Sequence, residues 1–411
     1  MKFKLTMLER NWVLYDVGNS AFTLLVSTIL PIYFNYLSES AGISEVQYLA
    51  YWGYAISIST AIVAVMGPTL GTLSDVSGMR KKMFTISLIV GAAACVIMGF
   101  TVNWLFFLGI FLIARVGYSF SLVIYDSMLI DVTDDERMDR VSSHGYAWGY
   151  IGSCVPFVVC LVFVLMYDSM GISFSAAMII ALAIIAVWWF LMSCPLIKSY
   201  EQKHSLPKGS TPMKDSLIRL SKIFKELAGH PQVLLFLLAF FFYIDGVYTI
   251  IDMATTYGTA LGLDTTGLLL ALLVTQIVAF PFSLFFGRLS KKVAPEKLIG
   301  ICIAAYFCIA IYAIFLDKQY EFWILAVAVG MFQGTIQAMS RSFFAKIIPP
   351  EQSGEYFGIY DICGKGASIM GSLVFSIAAQ VTGLVNAGVG MLAIMFIIGG
   401  VLFWQSVKLG K

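Results

Sequence analysis

The sequence predicts an all-α integral membrane protein, with twelve transmembrane helices in two pseudo-symmetric six-helix bundles. Three observations carry this. Of 411 residues, 59% are hydrophobic and 12% are charged, whereas a soluble chain carries roughly 25% charged residues. Apolar stretches of about 20 residues, enough to cross a bilayer, recur twelve times. Short patterns in the first half return in the second, 215 or 216 residues later.

The first six spans run over 11–37, 46–71, 83–101, 104–130, 144–167 and 172–195. The second six run over 232–260, 265–287, 297–316, 320–343, 357–381 and 385–408. Several exceed the minimum length, which tilt or extension beyond the lipid accommodates. The first span follows Lys2, Lys4 and Arg10, is longer than a signal peptide's apolar region and has no small-residue cleavage site, so it reads as a retained helix. The polar stretch Lys198 to Pro231 divides the chain into a bundle of residues 1–197, a linker of 198–231 and a bundle of 232–411. It reads as a tether; its basic amphipathic piece, Asp215 to Leu227, offers membrane-surface contact as an alternative.

Orientation follows from the basic residues. With the N-terminus in the cytoplasm, 23 of the 26 lysines and arginines fall in segments on that side. Of the rest, Lys318 lies outside, and Arg115 and Lys365 lie within spans. The positive-inside rule then places both termini in the cytoplasm. A net charge of +2 gives no reason to expect a nucleic-acid partner. The 7 cysteines lie in apolar segments without a CxxC pair, and the three histidines do not join them, so neither a metal nor a cofactor is expected.

The internal repeat locates the functional loops. Gly71-Thr-Leu-Ser-Asp75 after the second span returns as Gly287-Arg-Leu-Ser-Lys291 after the eighth. Tyr125-Asp126-Ser127 with Glu136 returns as Ser340-Arg341-Ser342 with Glu351. A duplicated six-helix unit around a central pathway is the expected architecture.

Gly71-Thr-Leu-Ser-Asp75-Val-Ser-Gly78-Met-Arg80-Lys81-Lys82 resembles the signature of the major facilitator superfamily. Three further blocks narrow the resemblance: Trp12-Val-Leu-Tyr15-Asp16-Val-Gly-Asn19-Ser20-Ala-Phe22, Asp245-Gly246, and Ser340-Arg341-Ser342 through Glu355-Tyr-Phe-Gly358 to Gly364-Lys365. They are similar to the branch of the fungal vacuolar, autophagy-related amino-acid effluxer and its bacterial relatives. The resemblance implies the major facilitator fold and a secondary transporter, with an amino-acid-like substrate.

Charged residues inside membrane spans mark pathways and gates. Asp16, Asn19 and Ser20 share one face of the first span, with Asp16 ~9 Å from its cytoplasmic end; it is either a proton or gating carboxylate or a structural bond. Arg115, with Tyr118 on its face, either holds an anionic substrate group through its guanidinium fork or pairs permanently with Asp16 or Asp75. Asp245, with Tyr248 on the same side, is the strongest substrate or proton candidate, because it lies mid-span without a basic neighbour. Gln276, Gln333 and Gln337 either line the pathway or bond between helices. Lys365 either reaches substrate or pairs with Asp361 one turn away. Asp75, Arg80, Asp126, Arg341 and Asp361 form the expected cytoplasmic gate, Asp126 and Arg341 being repeat equivalents of opposite charge.

The expected function is alternating-access transport of a small zwitterionic metabolite by a monomer in the lipid bilayer, coupled to protons. A carrier of sugars, drugs or amphipathic lipids is the second expectation. A receptor or scaffold is the third, and would call for a large soluble domain or docking tail. No HExxH or GxSxG occurs, and Gly364-Lys365-Gly-Ala-Ser lacks phosphate-loop spacing, so an enzyme is not expected.

Overall fold

The structure, a computed structural model, describes residues 3–207, 227 and 229–410. Among these, twelve long helices follow in order. The first six are α1 (Met7–Ser40), α2 (Glu45–Asp75), α3 (Arg80–Gly99), α4 (Trp104–Ser127), α5 (Asp135–Leu165) and α6 (Phe174–Ser199). The second six are α7 (Pro231–Ala260), α8 (Thr265–Leu289), α9 (Pro295–Ile314), α10 (Gln319–Ile347), α11 (Ser353–Thr382) and α12 (Val385–Leu409). Eleven are long and apolar enough to cross a membrane. The other is α11, whose 30 residues include Asp361 and Lys365.

Local chemistry sets the helix ends. Thr6 and Glu9 form a reciprocal capping box at the start of α1, and Asn103 accepts from the Leu105 and Phe106 amides at the start of α4. Gly42 and Gly262 close α1 and α7 at φ 73° and 77°, a left-handed conformation that only glycine adopts without a Cβ penalty. Their matching places in the chain reflect the repeat.

The described residues divide into two compact units. Unit 1 comprises Met1–Val132, Trp148–Met213 and Glu351–Gly358; unit 2 comprises Thr133–Ala147, Lys214–Pro350 and Ile359–Lys411. In unit 1, α1 packs on α6, α3 on both α4 and α6, and α2 on α4. Unit 2 repeats these pairings as α7 on α12, α9 on both α10 and α12, and α8 on α10. Close approach in unit 1 rests on glycine: a Cβ at Gly152 would press into Val17, and one at Gly149 would meet Ser20 Oγ at 2.8 Å.

Most boundaries shift by up to four residues from the expected ones, and the start of α5 by nine. Helix α5 begins at Asp135 rather than 144, and α11 at Ser353 rather than 357. Both starts are polar helical turns with buried side chains, including Ser142, Ser143 and Ser353, which an apolar-run criterion passes over. The linker also differs from a plain tether in its first part. Leu206 N–H donates to the Asp75 carbonyl at 2.8 Å, and Ser77 N–H to the Leu206 carbonyl at 3.1 Å. Its amphipathic piece lies outside the described residues except for Leu227.

Candidate functional site

In unit 1 a polar cluster forms where α2 ends and α3 begins. Arg80 Nη2 donates to Asp75 Oδ1 at 2.6 Å and Nη1 to Asp131 Oδ2 at 2.8 Å, and all three side chains are fully buried. Two carboxylates against one guanidinium leave one excess negative charge, which needs further donors. Asp131 receives them from the Tyr200 hydroxyl, from the backbone N–H of Lys203 at 3.2 Å and of His204 at 3.0 Å, and from His204 Nδ1 at 2.9 Å. Burial drives the Tyr200 phenol well above its usual pKa, against the opposing pull of Arg80 and with the help of Asp131, so Tyr200 keeps its proton and donates. Gln202 completes the cluster, accepting from Gly78 N–H at 3.0 Å and donating to the Ser74 carbonyl at 3.1 Å.

Asp75 receives its remaining donors from α11. Gly354 N–H reaches Asp75 Oδ1 at 2.7 Å and Glu355 N–H reaches Oδ2 at 3.0 Å. The first turn of any helix has amide groups without intrahelical acceptors, and a carboxylate there also meets the positive end of the helix dipole. Backbone contact brings Asp75 close enough. A Cβ on Gly71 would strike the Gly354 carbonyl, and one on Gly358 would meet Gly67 at 2.9 Å. Two glycine pairs, each four residues apart, face each other across α2 and the start of α11.

In unit 2 the start of α5 meets the end of α10. The buried Arg341 donates through Nε to Ser142 Oγ at 3.0 Å and through Nη2 to the Ser142 carbonyl at 3.1 Å, and lies 4.4 Å from the Tyr146 ring centre. Lys346 pairs with Asp139 at 2.8 Å. A Cβ on Gly287 would meet Ser143 Cβ at 2.6 Å.

The span candidates fall into the same two units. In unit 1, Asn19 Nδ2 donates to Asp16 Oδ1 at 3.3 Å, and both are buried on α1. Tyr118 and Thr23 share a hydroxyl bond of 2.7 Å. Arg115 and Asp126 are half-buried on α4. The expected alternative of Arg115 pairing with Asp75 does not hold, because Asp75 takes Arg80 and the α11 amides instead.

In unit 2, Asp245 is fully buried. Its Oδ1 accepts from Gly371 N–H of α11 at 3.0 Å and from Thr249 Oγ1 at 3.3 Å. Its Oδ2 is buried with no hydrogen-bond partner among the described residues. A Cβ on Gly371 would run into Asp245 and Thr249. Lys365 Nζ lies 2.7 Å from Asp361 Oδ1, so these two pair within their own helix here. Gln337 donates to the Gln333 carbonyl at 3.2 Å, Tyr248 is half-buried on α7, and Gln276 is half-buried on α8.

The sequence does not single out Asp131, Tyr200, Gln202 or His204, since each sits in a polar stretch and meets partners far along the chain. Ser142, Tyr146 and Gly371 likewise become visible only in three dimensions. Among the described residues, no group of three His, Cys, Asp or Glu side chains could hold a metal ion.

A family model, Vacuole effluxer Atg22 like, matches residues 8–409. The chain belongs to the Atg22-like effluxer family. The MFS-type transporter YxiO of Bacillus subtilis (strain 168) is 40% identical over 407 residues, covering 98% of this chain and 95% of the relative. Autophagy-related protein 22 of Coccidioides immitis (strain RS) is 22% identical, covering 86% of this chain and 72% of the relative. The fold is that of the major facilitator superfamily. The Escherichia coli fucose:proton symporter FucP superposes with a TM-score of 0.73 at 14% identity, covering 97% of each chain. The human organic anion transporter MFSD10 does so with a TM-score of 0.71 at 15% identity, covering 97% of this chain and 98% of the neighbour. This Atg22-like protein is an integral membrane transporter of the superfamily, and its relatives and structural neighbours are transporters rather than enzymes.

Proposed function

We propose that this Atg22-like protein is a proton-coupled secondary transporter of amino-acid-like zwitterions, working by alternating access in a bacterial cell membrane with both termini cytoplasmic. The observation that carries the reading is Asp245. A buried carboxylate with one oxygen satisfied and the other without a donor is poorly solvated as an anion. Taking up a proton removes that penalty. The same side chain holds an α11 amide at Gly371, so its protonation changes a contact between α7 and α11.

The charges suit a zwitterion. Arg115 and Lys365 offer cations for a carboxylate, and Asp16 and Asp245 offer anions for an ammonium group or a proton. Lys365 would have to leave Asp361 to take part. On the end that the positive-inside count assigns to the cytoplasm, the Asp75 bonds to α11 and the Arg341 bonds to α5 act as latches that break when the pathway opens there.

The test begins with purified protein and a panel of amino acids, small peptides and sugars. A transported ligand raises the melting temperature by mass action, and the hit is then followed into proteoliposomes under an imposed pH gradient. Uphill uptake of an amino acid supports the reading. A panel in which no amino acid gives either a thermal shift or flux sinks the substrate class.

A further inference from the structure

In unit 2, α9 and α12 leave a groove of ≈ 720 Å³ between them, away from the residues discussed above. Its floor is made of small residues, including Gly300, Ala304 and Gly400. A Cβ placed on Gly300 would meet nothing within 4 Å, so the glycine keeps space open. Phe307, Phe396 and Trp404 form its walls, and charge enters at one end only, through Glu296 and Lys297. Ten residues separate Lys297 from Phe307, roughly 15 Å along a helix. That is half of a hydrocarbon core about 30 Å thick, the depth of one leaflet.

The charged end is basic beyond Lys297. Lys408, in the last turn of α12, lies 3.4 Å from the Trp404 ring centre. Neither lysine has a carboxylate partner among the described residues. Arg288, Lys291 and Lys292 are exposed just ahead of α9. The α9 N-cap is Ala294, which supplies no side-chain acceptor to the first amides. At the groove mouth itself, Lys297 and Lys408 stand against Glu296. Tryptophan with lysine at a helix end is the pattern of the bilayer interface, and a basic cluster there attracts anionic headgroups.

We infer that this groove binds an anionic phospholipid, with one acyl chain along Gly300 to Phe307 and the phosphodiester at Lys297 and Lys408. The net positive rim selects an anionic lipid over a zwitterionic one. A soluble metabolite would find an apolar trough a leaflet deep, polar only at its mouth.

The experiment uses the purified full-length protein in neutral detergent, with dioleoyl phosphatidylglycerol, phosphatidylethanolamine and phosphatidylcholine added separately. Thermal shift and native mass spectrometry are the readouts. The expected result is retention of one phosphatidylglycerol per chain and a larger thermal shift than with the other two lipids. The double variant Lys297→Gln/Lys408→Gln should bind it roughly thirtyfold more weakly, since each basic group at an anionic headgroup is worth about fivefold. Gly300→Leu, which the open space admits without a clash, should fill the groove and abolish retention while leaving the melting temperature of the lipid-free protein unchanged or higher. Equal binding of all three lipids overturns the inference, as does unchanged phosphatidylglycerol binding in both variants. A dimer that Gly300→Leu dissociates would assign the groove to a second copy and overturn it too.

Discussion

Replacing Asp75 by asparagine tests the capping of α11 at the level of individual amides. In the wild type Oδ1 serves both Arg80 and Gly354 N–H, and Oδ2 serves Glu355 N–H alone. The asparagine carbonyl best keeps the Oδ1 position, where two donors converge. Its NH2 group then faces Glu355 N–H, donor against donor. A hydrogen bond to a charged group contributes about 1.5–3 kcal/mol, and losing the charge at a helix N-terminus weakens the dipole interaction by an overlapping ~0.3–2 kcal/mol. Taking about 2 kcal/mol for the combined loss, opening of this contact becomes roughly thirtyfold more frequent. Hydrogen–deuterium exchange of peptides covering residues 353–358 reads this directly. The expected result is about thirtyfold lower protection in Asp75→Asn, with Glu355 more affected than Gly354. Protection unchanged within a factor of two would refute the claim that the carboxylate holds the start of α11.

Three further outcomes follow from the same geometry. Gly71→Leu forces a side chain into the Gly354 carbonyl, and overpacking of this kind costs about 1–3 kcal/mol, so thermal unfolding in detergent should shift downward while Gly109→Leu, at a glycine with open space, should not shift it. Tyr200→Phe takes a donor from the buried Asp131 at a cost of about 1–3 kcal/mol, and should raise exchange in peptides covering residues 200–206. Asp245→Asn should abolish uphill uptake driven by a pH gradient while retaining substrate counterflow in proteoliposomes; full accumulation in this variant would remove Asp245 from the coupling step.

What the sequence reveals depends on how a residue makes its contact. Apolar runs and a strong bias of basic residues reveal the twelve helices, because lipid acts as solvent on each span independently. The pairing of Asp361 with Lys365 is legible because one helical turn fixes it. The Gly71 to Arg80 pattern is legible as a motif, yet its partners are not. Asp75 takes its donors from backbone amides 279 and 280 residues away, and an amide leaves no mark in a side-chain pattern. Tyr200 and His204 were hidden differently, in a polar stretch whose composition matches that of a tether. The start of α5 escapes an apolar-run criterion because a helix buried in protein, not lipid, has no need to be apolar, and Ser142 in that segment bonds to Ala338 and Arg341 of α10.

The duplication poses one packing problem twice, and the two units answer it with different chemistry. At Gly71 in unit 1 and at Gly287 in unit 2, the missing side chain brings a helix end against the start of another helix. In unit 1 a fully buried carboxylate holds amides of α11, and Arg80 balances its charge. In unit 2 the position corresponding to Asp75 is the exposed Lys291, which can accept no amide hydrogen. The fastening moves to α10, where Arg341 donates to a backbone carbonyl and Lys346 reaches Asp139. These two fastenings differ in their cost of release. The first, once separated, exposes a buried ion cluster that must find water or stay strained, and removing a partner from such a cluster costs about 3–5 kcal/mol. The second includes a partly exposed lysine pair of the kind worth at most about 1 kcal/mol. Breaking the contact at Asp75 therefore costs more than breaking the one at Lys346, so Asp75→Asn should lower the melting temperature in detergent more than Lys346→Gln does.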